Sequence, residues 1–225
     1  MNRNRNIHRS QRECNKGFST LEVLLVMFVS LVIAAFPMPG FDQARRALRI
    51  SGDGRDLNGA INQAKLLAAA DFTRARVYFD LGANTANTFH VDVWNKANGC
   101  WQVVGDLNNP CLVPGVSPVQ YLSPGVSLGF AGVGAPPPNT QAIPIQQAPK
   151  CFGPKGVAVG WVSTTACIVF SSRGLPIDPA NGTPARNDAV YITDNTQVYS
   201  VTVGATGISQ VWATSAKGNA NWYRK

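Results

Sequence analysis

The stretch Lys16-Gly17-Phe18-Ser19-Thr20-Leu21-Glu22 introduces a long apolar run and sets the organisation of the chain. The run covers residues 18–36, which are 19 positions with Glu22 as their single charged side chain. A helix rises about 1.5 Å per residue, so this run would nearly cross a hydrocarbon core of about 30 Å. Because a carboxylate is costly at membrane depth, we expect Glu22 to have a charged partner.

Basic residues dominate the segment before the run. Residues 1–17 hold five Arg and Lys side chains against Glu13, which predicts that they stay cytoplasmic and that the rest of the chain is exported. Half of the net charge of +8 therefore lies in this leader, so the charge is poor evidence for nucleic-acid binding. A charged fraction of only 14%, together with 21 Gly and 15 Pro, is typical of an exported β-rich domain.

The residues around Glu22 resemble the class III leader of type IV prepilins. A basic stretch, Gly17, Phe18 and then Glu22 stand in the register of that leader. The resemblance implies that a prepilin peptidase cuts between Gly17 and Phe18 on the cytoplasmic side and N-methylates Phe18. It also implies that the apolar segment is kept and that Glu22 pairs with the N-terminal amine of a neighbouring subunit. A carboxylate and an ammonium group can both be buried in a medium of low dielectric constant when they form such a pair.

Two prolines follow the apolar run. Pro37 and Pro39 each remove a backbone donor, so we expect them to kink or locally melt the helix. Pilins often carry a proline where Pro39 stands. The alternative is a conventional secretory signal or a simple anchor, for which Val32-Ile33-Ala34 offers a weak signal-peptidase site. The N-terminal residue of the product separates the two readings, because a pilin would start at Phe18 and the alternative product at Ala35.

Residues 41–72 carry the spacing of an amphipathic helix. Ala44, Leu48 and Ser51 form one apolar stripe, and a second stripe consists of Leu57, Ala60, Ile61, Ala64, Leu67 and Ala68. Residues 51–54, Ser-Gly-Asp-Gly, are poor helix sequence, which we interpret as a weak spot or a break. The alternative is an ordinary loop that joins two helices.

Beyond residue 72 the apolar pattern changes to the period of two that is typical of strands. Strands are predicted over residues 76–81, 88–94, 100–104, 125–130, 156–162, 167–170, 189–193, 197–203 and 208–213. The segment 131–150 is rich in Pro, Gly, Ala and Gln, which predicts a long surface loop or insertion.

The predicted fold is α+β, with a long N-terminal hydrophobic helix packed on an antiparallel β-sheet head. This helix would have a membrane half and a head half. The predicted parts are a cleaved basic leader (1–17), a transmembrane and assembly helix with a proline kink (18–40), an amphipathic helix of the head (41–72) and a β-rich periplasmic head (73–225).

The head resembles the GspH/FimT group of minor pseudopilins. The resemblance rests on residues 56–68 of the helix, on the strand 76–81 and on residues 168–174, Ile-Val-Phe-Ser-Ser-Arg-Gly. This last segment looks like the Ile-x-Phe motif of the group, followed shortly by Gly. The similarity covers roughly residues 17–81 and 166–213 and leaves residues 95–155 unaccounted for.

The sequence does not indicate catalysis. After processing, His90 would be the only histidine, and Asp92 and Trp94 would share its strand face, which we interpret as a solvent-facing polar stripe. Phosphate-binding glycine loops and the spacings of metal ligands are also missing from the sequence. We therefore predict no enzyme activity, no catalytic residue, no metal and no cofactor.

The cysteines predict disulfides. Cys14 would be lost with the leader, which leaves Cys100, Cys111, Cys151 and Cys167 in a domain bound for an oxidising compartment. Four cysteines allow three pairings, and the sequence alone does not fix the choice. Because they close short loops, we favour Cys100 with Cys111 and Cys151 with Cys167.

The leading functional hypothesis is a structural minor pilin or pseudopilin of a type IV pilus or of a type II secretion pseudopilus. It would act in assembly initiation or at the tip. Its partners would be other pilins through the N-terminal helix, the prepilin peptidase and the bacterial inner membrane. The protein would cross that membrane once, with its head in the periplasm, before it enters the filament.

Two alternatives stay open. One is a minor pilin whose head binds DNA or a surface, and the other is an ordinary secreted or membrane-anchored protein with a conventional signal. We expect DNA binding to be weak, because residues 186–225 hold four Arg and Lys side chains against two Asp. The aromatic and basic residues 221–225 are expected to form a frayed terminus.

Overall fold

The computed structural model describes residues 18–35, 38–82, 87–104, 119–141, 144–185, 187–217 and 219–225. The chain divides into two units, Met1–Ala44 and Arg45–Lys225. The helices of the described residues are α1 (Thr20–Ala35) and α2 (Met38–Ala70), and a short 3₁₀ helix covers Gly156–Val159. The strands are β1 (Ala75–Asp80), β2 (Thr88–Asn95), β3 (Cys100–Val103), β4 (Gln120–Tyr121), β5 (Ser127–Leu128), β6 (Cys151–Phe152), β7 (Trp161–Val162), β8 (Thr165–Phe170), β9 (Pro176–Ile177), β10 (Asp188–Thr193), β11 (Gln197–Val203), β12 (Ser209–Ser215) and β13 (Tyr223–Arg224).

The two helices differ in length and in polarity. α1 is apolar but has only 16 residues, or about 24 Å of helix. α2 has 33 residues, but it carries several charges, among them Arg45, Arg46, Arg49 and Arg55. Over the part of the chain that the structure describes, neither helix combines the length and the apolar character that a membrane crossing requires.

This finding corrects two predictions. The predicted fold, an α+β protein built on one long N-terminal hydrophobic helix, was wrong, because the structure has two separate helices and consists mostly of antiparallel sheet. The predicted single-pass localisation in the inner membrane, with the head in the periplasm, was wrong for the same reason. The apolar helix α1 has only 16 residues, and α2 carries charged side chains from Asp42 onward.

The predicted weak spot or break at residues 51–54 was also wrong, because α2 is continuous through them. The carboxylate of Asp53 accepts hydrogen bonds from the Ser123 amide at 3.1 Å and the Ser123 hydroxyl at 2.9 Å. A Cβ atom on Gly54 would lie 3.0 Å from Cδ1 of Tyr199, so the glycine lets α2 approach β11 closely. Tertiary contacts here outweigh the low helix propensity of these residues.

All described strand pairings are antiparallel. The first sheet has the order β3-β2-β1-β8-β9, with β4 also paired to β2, and the second has the order β13-β12-β11-β10-β5. β6 and β7 form a separate pair. In the first sheet Val77 lies opposite Val91 of β2 and Ile168 of β8, and this register gathers apolar side chains on one face.

The predicted strand over residues 156–162 was wrong except at its end. Residues Gly156–Val159 form the 3₁₀ helix, and only Trp161–Val162 is a strand. Gly156 and Gly160 have φ angles of +68° and +83°, which lie in the left-handed region and not in the extended one.

The main core lies between α2 and the two larger sheets. α2 buries the predicted stripe from Leu57 to Ala68, with Leu67 only partly buried, together with Ile50, whereas Leu48 of the other predicted stripe is 72% exposed. The sheets contribute alternate residues of β1, β2, β8, β10 and β11. The buried members from these strands are Ala75, Val77, Phe79, Phe89, Val91, Ala166, Ile168, Phe170, Val190, Ile192, Tyr199, Val201 and Val203.

The segment 131–150 is more than a surface loop. Val133 and Ile145 are buried in a second apolar cluster with Tyr191 and Val198 of the second sheet. The side-chain amide of Gln147 donates to the Tyr191 carbonyl at 3.0 Å and accepts from the Tyr191 amide at 2.9 Å. The Gln147 side chain therefore forms the hydrogen bonds with the backbone of β10 that a neighbouring strand would form. The apolar residues of the segment cover the face of the second sheet opposite α2.

Candidate functional site

The predicted processing and assembly residues lie at the start of α1. Gly17 lies outside the described residues, Phe18 precedes the helix, and Glu22 is in its first turn. The Ser19 hydroxyl accepts a hydrogen bond from the Leu21 amide at 3.3 Å and so helps to begin the helix. A carboxylate such as Glu22 is favoured there because the first turn carries unsatisfied N–H groups.

The surface of α1 is apolar on all sides and exposed. Phe18 is 80% exposed, and Leu24 and Phe28 are 68% and 70% exposed. The other large exposed apolar side chains of this helix are Leu21, Val23, Leu25, Val26, Met27, Val29, Leu31, Val32 and Ile33. A helix that is hydrophobic all round is normally buried, so this surface is the first candidate site for contact with other molecules.

α1 ends at Ala35 and α2 begins at Met38, and residues 36–37 between them lie outside the described residues. Pro39 lies in the first turn of α2, where a missing backbone N–H breaks no intrahelical hydrogen bond. Pro39 is therefore placed to begin a helix and not to kink one. Pro37 lies outside the described residues.

The predicted disulfide between Cys151 and Cys167 is confirmed. It joins β6 to β8, with the two Cα atoms 5.1 Å apart. Cys100 is also disulfide-bonded, and its predicted partner Cys111 lies outside the described residues. The confirmed disulfide lies at the edge of a second candidate site, which is built on the face of the first sheet opposite α2.

This face was predicted to be a solvent-facing polar stripe, and that interpretation was wrong. Asp92 is only 1% exposed and Arg76, from the neighbouring strand, only 4%. Trp101 and Trp94 contact each other edge to face, with 5.3 Å between ring centroids, and they belong to an apolar cluster on this face. The residues of β1 and β2 that alternate with the main-core residues therefore form a second buried layer, and part of this layer is an ion pair.

Arg76 is the centre of this layer. Its Nε donates to a carboxylate oxygen of Asp92 at 2.6 Å, and its Nη1 donates to the Phe152 carbonyl at 2.7 Å. The guanidinium carbon lies 4.4 Å from the ring centroid of Trp101 and 5.0 Å from that of Tyr78. An ion pair, a backbone hydrogen bond and two aromatic faces thus hold the buried cation.

The buried pair alters the acidity of its neighbours. Burial alone would raise the pKa of Asp92, but the charge of Arg76 and the contact with His90 hold that pKa below its usual range. The Nε2 of His90 lies 3.3 Å from the second oxygen of Asp92. Burial also raises the pKa of Tyr78, against the opposing effect of Arg76. Asp92 is therefore a carboxylate and Tyr78 a neutral phenol at neutral pH.

A cavity of about 300 Å³ opens beside Arg76. Aromatic rings of Trp94, Trp101 and Phe152 form part of its wall, and Arg74 and Lys155 stand at its exposed edge. Cys167 of the disulfide also lines it. The cavity therefore combines an apolar, ring-lined interior with a cationic edge.

Most residues of this cavity were not predicted. Asp92 and Trp94 were predicted to share one strand face, but Arg74 stands directly before β1, and Phe152 and Lys155 come from a distant segment. The available signal was the placement of Arg76 and Asp92 at alternating positions of two successive predicted strands, where a hairpin register can pair opposite charges. Residues 152–155 belong to the stretch 95–155, which resembled no family pattern. Their position beside β1 and β2 could therefore not be predicted.

The C-terminal residues are ordered, so the prediction of a frayed end was wrong. β13 pairs with β12 at the edge of the second sheet. The guanidinium of Arg224 lies 5.6 Å from the ring centroid of Trp212, and the ammonium of Lys225 lies 5.0 Å from that of Tyr223. The cations of Arg224 and Lys225 thus lie against aromatic rings of the protein itself. The expectation of weak DNA binding stays a prediction.

Comparisons of the chain with protein-family models, with curated proteins and with solved structures found no match. The resemblance to type IV prepilins and to the GspH/FimT group therefore stays a prediction, which rests on the motifs quoted from the sequence.

Proposed function

We propose that the protein is a pilin-like subunit that assembles with other subunits through α1. The observation that carries the proposal is the exposed, all-round apolar surface of a helix that begins within the prepilin-like motif. Such a surface needs neighbours on several sides, and a bundle of like helices in a filament would supply them. Glu22 would then pair with the N-terminal amine of the next subunit, since a buried carboxylate needs an opposite charge.

The N-terminal residue of the mature protein tests the proposal. Mass spectrometry of the protein from its native host should find a chain that starts with N-methylated Phe18. Gly17→Ala should still be processed, whereas Gly17→Arg should leave the full-length precursor, because access of the peptidase needs a small residue there. A mature chain that starts at Ala35, or normal cleavage of Gly17→Arg, would contradict the proposal.

Incorporation into filaments tests the role of Glu22. Glu22→Ala should be made and processed but should copurify poorly with other pilins, because the neighbouring amine loses its partner. Ser30→Ala is a matched control on the same helix, since its hydroxyl only bonds the Val26 carbonyl within α1 at 2.7 Å. Equal recovery of Glu22→Ala and Ser30→Ala would argue against the pairing.

A second candidate is an ordinary exported protein whose α1 is a conventional signal. Among the described residues, the members of the three apolar clusters all come from residue 50 onward, so the head has a core of its own. This self-contained core meets the requirement of the second candidate that the head folds after α1 is removed, whereas the motif Gly17-Phe18 with Glu22 favours the first. The same mass spectrometry separates them, because a conventional signal gives a product that starts at Ala35.

A third candidate is a pilin-like subunit whose head also binds DNA or a surface. The cavity with cations at its edge and rings in its wall is the observation that favours a binding role. A binding role of the head is compatible with either kind of N-terminus.

A further inference from the structure

The cavity beside Arg76 is preformed, because its wall residues are fixed by bonds and contacts within the fold. Arg76 is anchored to Asp92 and to the Phe152 carbonyl, and Cys167 is tied to Cys151. A Cβ atom on Gly156 would lie 3.2 Å from the Trp94 ring, so this glycine lets the 3₁₀ helix close against the tryptophan. Because these wall residues are already ordered, their conformational entropy changes little when a ligand binds.

The charges of the cavity are unbalanced. Three of its lining residues are cations, and no acidic side chain is among the described residues that line it. Arg76 is neutralised by Asp92. For Arg74 and Lys155, no carboxylate within the described ranges lies within ion-pair distance. The edge of the cavity therefore has two cations that are free to meet an anion.

The interior favours a flat or ring-shaped body. Trp94, Trp101 and Phe152 line the cavity with aromatic carbon, and Trp94 is the half-buried one of the three, so the ring of a ligand can pack against it. A volume of about 300 Å³ is at the lower end of the range for small-molecule sites, so it admits one ring and not a peptide helix. The cations stand at the edge, where a charged group attached to the ring would remain partly hydrated.

We propose that this cavity binds a single six-membered ring that carries a carboxylate. The ring lies against the tryptophans, and the carboxylate meets Arg74 and Lys155. A uronic acid and an aromatic carboxylate share this chemistry. The proposal is independent of whether α1 assembles or is removed, because the residues of the cavity all lie in the unit Arg45–Lys225.

The test is an equilibrium titration of the full-length protein in a non-ionic detergent, followed by tryptophan fluorescence and repeated by calorimetry. The probes are glucuronate and benzoate, each compared with its uncharged analogue, glucose or benzyl alcohol. We expect at least one anion to bind saturably at concentrations up to about 20 mM and at least roughly tenfold more tightly than its uncharged analogue. The anion that binds more tightly identifies the class of ring.

Two double variants show where the anion binds. Arg74→Gln with Lys155→Gln should weaken binding roughly tenfold or more, since both exposed cations are removed without a change in the buried layer. Arg55→Gln with Lys217→Gln removes the same two residue types from exposed positions that do not line the cavity, and it should bind as the wild type does. Near-UV circular dichroism checks that each variant keeps the wild-type packing.

Three outcomes would overturn the proposal. Neither anion binds saturably in this range, the uncharged analogues bind as tightly as the anions, or both double variants weaken binding by the same factor. The last result would mean that the net charge of the protein attracts the anions and that the cavity does not.

Discussion

Replacing Asp188 with Asn should remove a large pH-dependent penalty on folding. Asp188 begins β10, is 7% exposed and lies on the side of that strand that carries Val190 of the main core. Burial raises its pKa from the ordinary value of 3.8 to about 7, and the nearby charge of Asp178 acts in the same direction. The folded protein thus keeps a proton on Asp188 that the unfolded chain releases.

The sign and size of the effect follow from proton linkage. Below about pH 4 the carboxyl is protonated in both states, and it carries no penalty. Between pH 3.8 and about 7 only the unfolded chain ionises, so the free energy of unfolding falls as the pH rises. A pKa difference of about three corresponds to about 4 kcal/mol, which is fully lost above the folded pKa.

Circular dichroism at a series of urea concentrations measures this loss. Wild type and Asp188→Asn should differ little near pH 4, and the variant should be more stable near pH 8 by up to about 4 kcal/mol. Asp178→Asn should recover part of the difference, since it removes the second cause. Asp56→Asn, an exposed acid on α2, is the control for the loss of one negative charge. The reasoning is refuted if wild type and Asp188→Asn lose the same stability between these two pH values.

Three further predictions follow from other contacts. Gly52→Ala should raise the free energy of unfolding by about 0.5–1 kcal/mol, because no atom lies within 4 Å of the new Cβ. Gly54→Ala should lower it by about 1–3 kcal/mol, because the new Cβ contacts the buried ring of Tyr199. Equal effects of the two changes in urea denaturation would contradict this. Changing Cys151 and Cys167 to Ala together should lower stability by about 3 kcal/mol, as expected for a loop with a separation of 16 residues, and an unchanged urea midpoint would show that the disulfide contributes nothing. In gel shifts at physiological salt the protein should bind duplex DNA only weakly; tight binding that is lost when residues 222–225 are removed would overturn that expectation.

The sequence predicted local elements better than it predicted their limits. The stripe from Leu57 to Ala68 on α2 and the strand predicted over residues 88–94 were confirmed, because burial against a core requires these spacings. The break at residues 51–54 was predicted from propensity alone. Propensity gave the wrong answer there because the close contact between Gly54 and Tyr199 is visible only in three dimensions.

The N-terminal predictions illustrate a different limit. Residues 18–36 were treated as one apolar segment that continues into the head helix. The structure ends α1 at Ala35 and begins a separate, charged helix at Met38. Counting apolar residues does not show where a helix ends, whereas the prolines beyond the run were the local signal that it could not continue.

The cavity was missed because an alternating strand has two physical explanations. Alternation usually means that one face is packed and the other is solvated, and β2 was interpreted in that way. The same alternation of apolar and polar residues arises where both faces of the strand are buried, provided that the polar residues on one face neutralise each other. Arg76 and Asp92 do so at 2.6 Å, and the rings of Trp101 and Tyr78 lie against the guanidinium. The helix-facing residues of β1 and β2 thus hold the core, while the opposite residues hold the cavity. Substitutions at its exposed cations can therefore change binding without disturbing the packing that keeps the head folded.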